Sequence, residues 1–161
     1  MTTSILFSKT KSPISRFIRW ITKSEASHCA FLYYDGDFQC MMVMEADWYG
    51  FGLIPFTRWR AKNIVIDAFP MELDEGLRYV AREYIGSLYD YGGAIGTMFV
   101  RFLRFLGRKV KNPLHASRSV FCSEAAVIAM QKQGIAGADL LDPAATTPGD
   151  LLNFLRCHTL S

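Results

Sequence analysis

Two runs rich in β-branched, aromatic and aliphatic residues, Ser27 to Tyr34 and Phe38 to Ala46, meet at the tetrapeptide Tyr34-Asp35-Gly36-Asp37. Such residues suit a pleated, half-buried surface, and Asp-Gly is the dipeptide that a tight reversal selects, so the stretch is predicted to be a β-hairpin. A two-residue type I′ turn at Asp35-Gly36 pairs Tyr34 with Asp37, and counting back sets His28 opposite Val43. Glu45 is then diagonal to His28 on one sheet face, a separation of about 7–8 Å that a long side chain spans. One more residue in the loop would send Glu45 to the opposite face, so the juxtaposition depends on the turn.

The remaining segments arrange themselves around this hairpin. Ser4 to Ser8 is a short strand candidate, and Ser12-Pro13 opens a short helix with Ser12 as N-cap. Phe17, Ile18, Trp20 and Ile21 form the apolar side of that helix, and Arg16, Arg19 and Lys23 then face water or an anionic partner. Trp48 to Gly52 reads as a turn with two glycines; Leu53 to Arg60 leads into Asn63 to Ala68, an apolar run expected to be a central strand broken by Pro70. Leu73 to Gly86 has helical spacing and closes on Gly86. A last helix begins at Thr147-Pro148, after a short connection at Ala138 to Asp142. Strands cluster early and helices late, which predicts an α+β fold with an antiparallel sheet rather than βαβ winding.

Length and composition bound the answer. The chain has 161 residues, enough for one domain with its own core. Its four cysteines, Cys29, Cys40, Cys122 and Cys157, stand at irregular spacings with no CxxC pair, so neither a disulfide framework nor a metal site is signalled. No organic cofactor motif is present either. The net charge of +3 carries no specific nucleic-acid signal. No apolar run is long enough to span a bilayer, and Met1 to Lys11 lacks the features of a secretory signal. The expected product is a soluble protein made in the cytoplasm, a reading that leaves room for delivery to the cell envelope or a place in a viral particle.

One segment carries chemistry. Val120-Phe121-Cys122-Ser123-Glu124 runs into the apolar stretch Ala125 to Met130 and ends at Gly134, which mounts a cysteine on a helix start. Unpaired N–H groups and the positive end of the helix dipole lower a thiol pKa there, and the thiolate is the form that attacks carbonyl carbon. A free cysteine also commonly just fills core space, and a histidine far upstream shifts the balance. Of the three histidines, His28 lies in the predicted hairpin, His115 is the fallback base, and His158 adjoins Cys157 near the end. Glu45 is a carboxylate inside a Met/Val run, a position that calls for a partner or a solvent-facing reason.

Ile5-Leu6-Phe7, Ile14 to Trp20, Ser27-His28-Cys29-Ala30-Phe31-Leu32, Met44-Glu45-Ala46 with Gly50, Gly86 to Asp90, and Phe121-Cys122-Ser123-Glu124 follow in order along the chain. In that order they resemble the successive motifs of the circularly permuted NlpC/P60 papain-like proteins, nearest to the YiiX/YebB-like branch. The resemblance implies a papain-like core in which the histidine strand precedes the nucleophile helix. It also implies Cys122 as nucleophile, His28 as general base and Glu45 as the group orienting the imidazole. Tyr89 and Asp90 match a Tyr-Asp turn of the family that either lines the substrate groove or is a buried, capped turn. The implied activity is hydrolysis of an amide, of the kind found in peptidoglycan peptides, without metal or cofactor. Lipid or ester acyl transfer on the same triad and a non-catalytic binding or assembly role are the alternatives. The chain departs from the family between Gly92 and Ser119, where a basic, aromatic insertion at about 94–118 sets Arg101, Arg104 and Arg108 in one helical stripe. That stripe is either a solvated helix face or a contact for an anionic surface or partner protein.

Overall fold

The predicted hairpin lies at the centre of a five-stranded antiparallel sheet in the computed structural model, which describes residues 2–47, 50–86 and 122–158. The elements, in chain order, are β1 (Thr2–Lys9), α1 (Pro13–Thr22), β2 (His28–Asp35), β3 (Cys40–Asp47), β4 (Gly50–Pro55), α2 (Phe56–Arg60), β5 (Ile64–Glu72), α3 (Asp74–Tyr84), α4 (Cys122–Gln133), a 3₁₀ turn at Ala138–Leu140 and α5 (Pro148–His158). The strand order is β4-β3-β2-β1-β5, every pair antiparallel.

Period-2 alternation sends the two faces of the sheet into different packing. Ile5, Phe7, Cys29, Phe31, Tyr33, Met42 and Met44 meet the helical layer through Leu77 and Val80 of α3, Val127 and Met130 of α4, and Leu151 and Leu155 of α5. Leu6, Ala30 and Val43 on the other face are covered by Trp59 of α2, with Phe56 and Ile54 beside it. The helices α3 and α4 approach closely at Gly76, where a Cβ would fall 2.0 Å from the carbonyl oxygen of Ala129. Only glycine permits that spacing. From α4 the Gln133 side chain accepts the N–H groups of Glu75 (2.9 Å) and Gly76 (3.2 Å), satisfying donors that the first turn of α3 leaves open.

Several local expectations hold. Ser12 Oγ accepts the Ser15 N–H at 3.1 Å with Pro13 in the first turn of α1, Gly86 ends α3 at φ +80°, and Thr147 and Asp150 cap α5 reciprocally.

Others are corrected. The hairpin turn is not the two-residue type I′ form. Asp35 pairs with Cys40 across a four-residue loop, 36–39, with Gln39 at φ +49°. The Asp35 carboxylate accepts the N–H groups of Asp37 and Phe38 at 3.0 and 3.1 Å, which favours the wider turn. The supposed turn around Gly50 and Gly52 is the start of β4, because pairing with β3 supplies ladder bonds that outweigh the glycines' entropy. The run after Asn63 is an edge strand rather than a central one, with β1 as its neighbour among the described residues. It continues through Pro70, which pairs with Ser4; an edge tolerates the missing donor.

The first helix is corrected in part. Arg16 and Lys23 are exposed as expected, but the side that faces the protein carries Ser15, buried with its Oγ 2.6 Å from Ser27 Oγ and accepting the Thr10 N–H at 3.0 Å, beside a half-buried Ile18. Arg19 is half-buried, while Phe17 and Trp20 are 51% and 74% exposed. The sequence specifies an apolar stripe but not the direction it faces, and here the buried serine pair sets the direction.

Candidate active site

The structure brings together the three residues singled out as nucleophile, base and orienting group. His28 is the first residue of β2 and pairs with Ser8, at the point where β5 inserts Ile66 as an extra residue into its ladder with β1. Bulges of this kind bend a strand and re-aim the side chains beside it. Glu45 is near the end of β3. Extending the observed register, in which Leu32 pairs with Val43, sets Asp47 across from His28 and leaves Glu45 diagonal to it. The loop is longer by an even number of residues than expected, so the parity of the faces is preserved, and the side chains meet with His28 Nε2 2.7 Å from Glu45 Oε2.

The same carboxylate oxygen accepts the indole N–H of Trp59 at 2.6 Å. Trp59 is 1% exposed and stacks on Phe56 with ring centroids 6.0 Å apart. Glu45 is thus held from two sides, and with it the plane of the imidazole. Because Nε2 is committed to Glu45, Nδ1 is the ring nitrogen left for Cys122, the first residue of α4, whose thiol is within hydrogen-bonding reach of His28.

Cys122 has a further partner. Cys29, buried on the helix-facing side of β2, offers both its S–H and its backbone N–H to the Cys122 sulfur. Donors of this kind favour the charged form. The Cys29 thiol hydrogen bond, set against burial and joined by the His28 charge, holds the Cys122 thiol well below its ordinary range. The Cys29 thiol moves well above it, through its bond to Cys122 and through burial. For His28, burial opposes the charge, but the Cys122 thiolate and its hydrogen bond, followed by those of Glu45, push the imidazole up to about 10. Both shifts favour the charged forms, a thiolate on Cys122 and an imidazolium on His28. The His28 side chain remains 18% exposed, so the pair is reachable from solvent.

Trp59 and Cys29 are site residues that the sequence reading missed. Cys29 carried one usable signal, since alternation in a strand puts the neighbour of His28 on the opposite, helix-facing side. For Trp59 the only signal was chemical: a buried indole needs an acceptor. His158 is not part of the site; it stacks on Phe154 at 4.1 Å, with Nδ1 2.8 Å from the Phe154 carbonyl oxygen. Tyr89, Asp90, His115 and the stripe Arg101, Arg104 and Arg108 lie outside the described residues, as does the basic insertion. Among the described residues there is no cluster of three or more side chains suited to a metal ion, and no helix is long and apolar enough to cross a membrane. The chain matches no model of a known protein family, and no curated protein sequence matches it.

Proposed function

We propose that the chain is a cysteine hydrolase with a permuted papain-like (NlpC/P60-type) arrangement, cleaving an amide through Cys122, His28 and Glu45. The observation that carries this reading is the continuous line from Trp59 Nε1 to Glu45 Oε2 (2.6 Å), from Glu45 Oε2 to His28 Nε2 (2.7 Å), and on to Cys122 at a helix start. Nucleophile, base and a third group orienting the base are what thiol-dependent acyl transfer requires.

In this mechanism the Cys122 thiolate attacks the carbonyl carbon, and the negative charge passes to the carbonyl oxygen. Backbone N–H groups in the first turn of α4 lie at the helix end suited to that oxyanion. His28 gives its Nδ1 proton to the departing amine, the C–N bond breaks, and a thioester to Cys122 remains. Water then attacks the thioester, His28 takes up its proton, and the acid product leaves with the thiolate restored. Glu45 keeps Nε2–H bonded throughout, so that Nδ1 stays aimed at the reacting atoms. The family resemblance makes a peptide of peptidoglycan type the substrate class to try first.

The test is the pH dependence of Cys122 alkylation by iodoacetamide in the parent and in His28→Ala. Cys40 and Cys157 are changed to serine in both, because they are partly or fully exposed. Cys122 is expected to react well below the ordinary thiol range near pH 8.5 and to slow sharply without His28. An inert Cys122, or one indifferent to His28, would reject the hydrolase and leave a fold kept for binding.

A further inference from the structure

The exposed side of α1 has no part in the site just described. Ile14, Phe17 and Trp20 are 42%, 51% and 74% exposed, and Phe17 and Trp20 stack with centroids 6.3 Å apart. At three-residue steps they fall within about 120° of the helix circumference, one continuous apolar strip. The opposite side is fixed to the body through Ser15, Ser27 and Thr10. The helix therefore cannot roll to bury its strip without breaking a buried hydroxyl pair.

Charge says what the strip meets. From Thr2 to Ser24 the chain carries five basic residues, Lys9, Lys11, Arg16, Arg19 and Lys23, and no acidic one. Lys11, Arg16 and Lys23 are exposed alongside the strip. Ile64 and Val65, also exposed, open β5 where it pairs with Lys9 and Ser8, at the sheet end from which the chain passes into α1. Aromatic and aliphatic residues flanked by lysine and arginine on a surface helix are the composition that settles at the boundary of headgroups and acyl chains. A second copy docked face to face would oppose like charges across the contact.

We propose that α1 seats the protein on an anionic lipid bilayer, with Ile14, Phe17 and Trp20 entering the acyl boundary and Lys11, Arg16 and Lys23 meeting the headgroup phosphates. The assignment is independent of the hydrolase reading and holds whether or not Cys122 is reactive.

The experiment is flotation of the full chain with phosphatidylcholine vesicles, with and without phosphatidylglycerol. The parent floats with the anionic vesicles. Phe17→Ser/Trp20→Ser lowers the bound fraction by at least about tenfold, since two exposed aromatic side chains lose their transfer into lipid. Arg16→Glu/Lys23→Glu weakens binding to anionic vesicles by a similar factor, and the urea midpoint of each pair is measured beside it so that flotation is compared between folded proteins. Cys122→Ala floats like the parent, which separates this test from that of catalysis. The proposal is overturned if the parent stays with the unbound fraction or if both pairs float as the parent does. A parent dimer that the Phe17/Trp20 pair converts to monomer would overturn it in favour of self-association.

Discussion

Trp59→Phe isolates one hydrogen bond of the site. The replacement keeps a ring against Phe56 and removes the indole N–H that reaches Glu45 Oε2 at 2.6 Å. A hydrogen bond to a charged group contributes about 1.5–3 kcal/mol, and the lost ring volume at a site only 1% exposed adds a packing cost of about 1 kcal/mol. The two contributions separate in a double-mutant cycle with Glu45→Ala, because the packing cost is common to both backgrounds and cancels in the coupling. Urea unfolding of the parent, both single variants and the double variant should give a coupling energy of about 1.5–3 kcal/mol. In melting temperature each kcal/mol corresponds to about 2–4 °C for a chain of this size. A coupling below about 0.5 kcal/mol would mean that Trp59 merely fills space beside Glu45 and that the carboxylate is positioned by something else.

Two further outcomes follow from the thiol pair and the ion pair. Cys29→Ala removes the S–H donated to Cys122, so the alkylation profile of Cys122 should move toward the ordinary thiol range, while Cys29→Ser, which keeps an O–H donor, should restore part of the difference; identical profiles would remove Cys29 from the site. Folding raises His28 from 6.5 to about 10, a contribution whole below pH 6.5 and lost as pH climbs through 10. It lowers Cys122 from 9.0, a contribution whole above pH 9.0 and lost as pH falls toward the folded value. Below 9.0, where the two ranges overlap, folding only moves a proton from thiol to imidazole. The stability difference between the parent and His28→Ala/Cys122→Ala should be level across that window and fall on either side, and a slope within it would contradict the ion pair.

Local rules carried much of this fold because they act within a few residues. The Ser12 cap, the glycine closing α3 and the strand composition on both sides of Asp35-Gly36 all appear where their chemistry requires. The His28–Glu45 pairing tolerates a longer turn than the expected two-residue form because the change is even, and sheet faces repeat every two residues. What stayed hidden depends on partners distant in sequence. Gly50 and Gly52 look like part of a turn until β3 lies beside them, and Trp59 looks like generic core until Glu45 needs a donor. The outward strip of α1 is the same kind of case, since a helical wheel cannot tell which side a buried serine will anchor.

The position of Cys122 in the chain has a consequence for timing. His28, Glu45 and Trp59 lie on β2, β3 and α2, close together in sequence, whereas the sulfur arrives with α4. A chain synthesised from its N-terminus has the imidazole and its carboxylate available before the thiol has been made. On the hydrolase reading the nucleophile is then made late and gains its neighbours only when α4 docks beside β2, so a nascent or interrupted product would carry the base without anything to activate. On that reading docking of this one helix arms the protein, and a probe selective for thiolates would report completion of the fold as sharply as it reports the site.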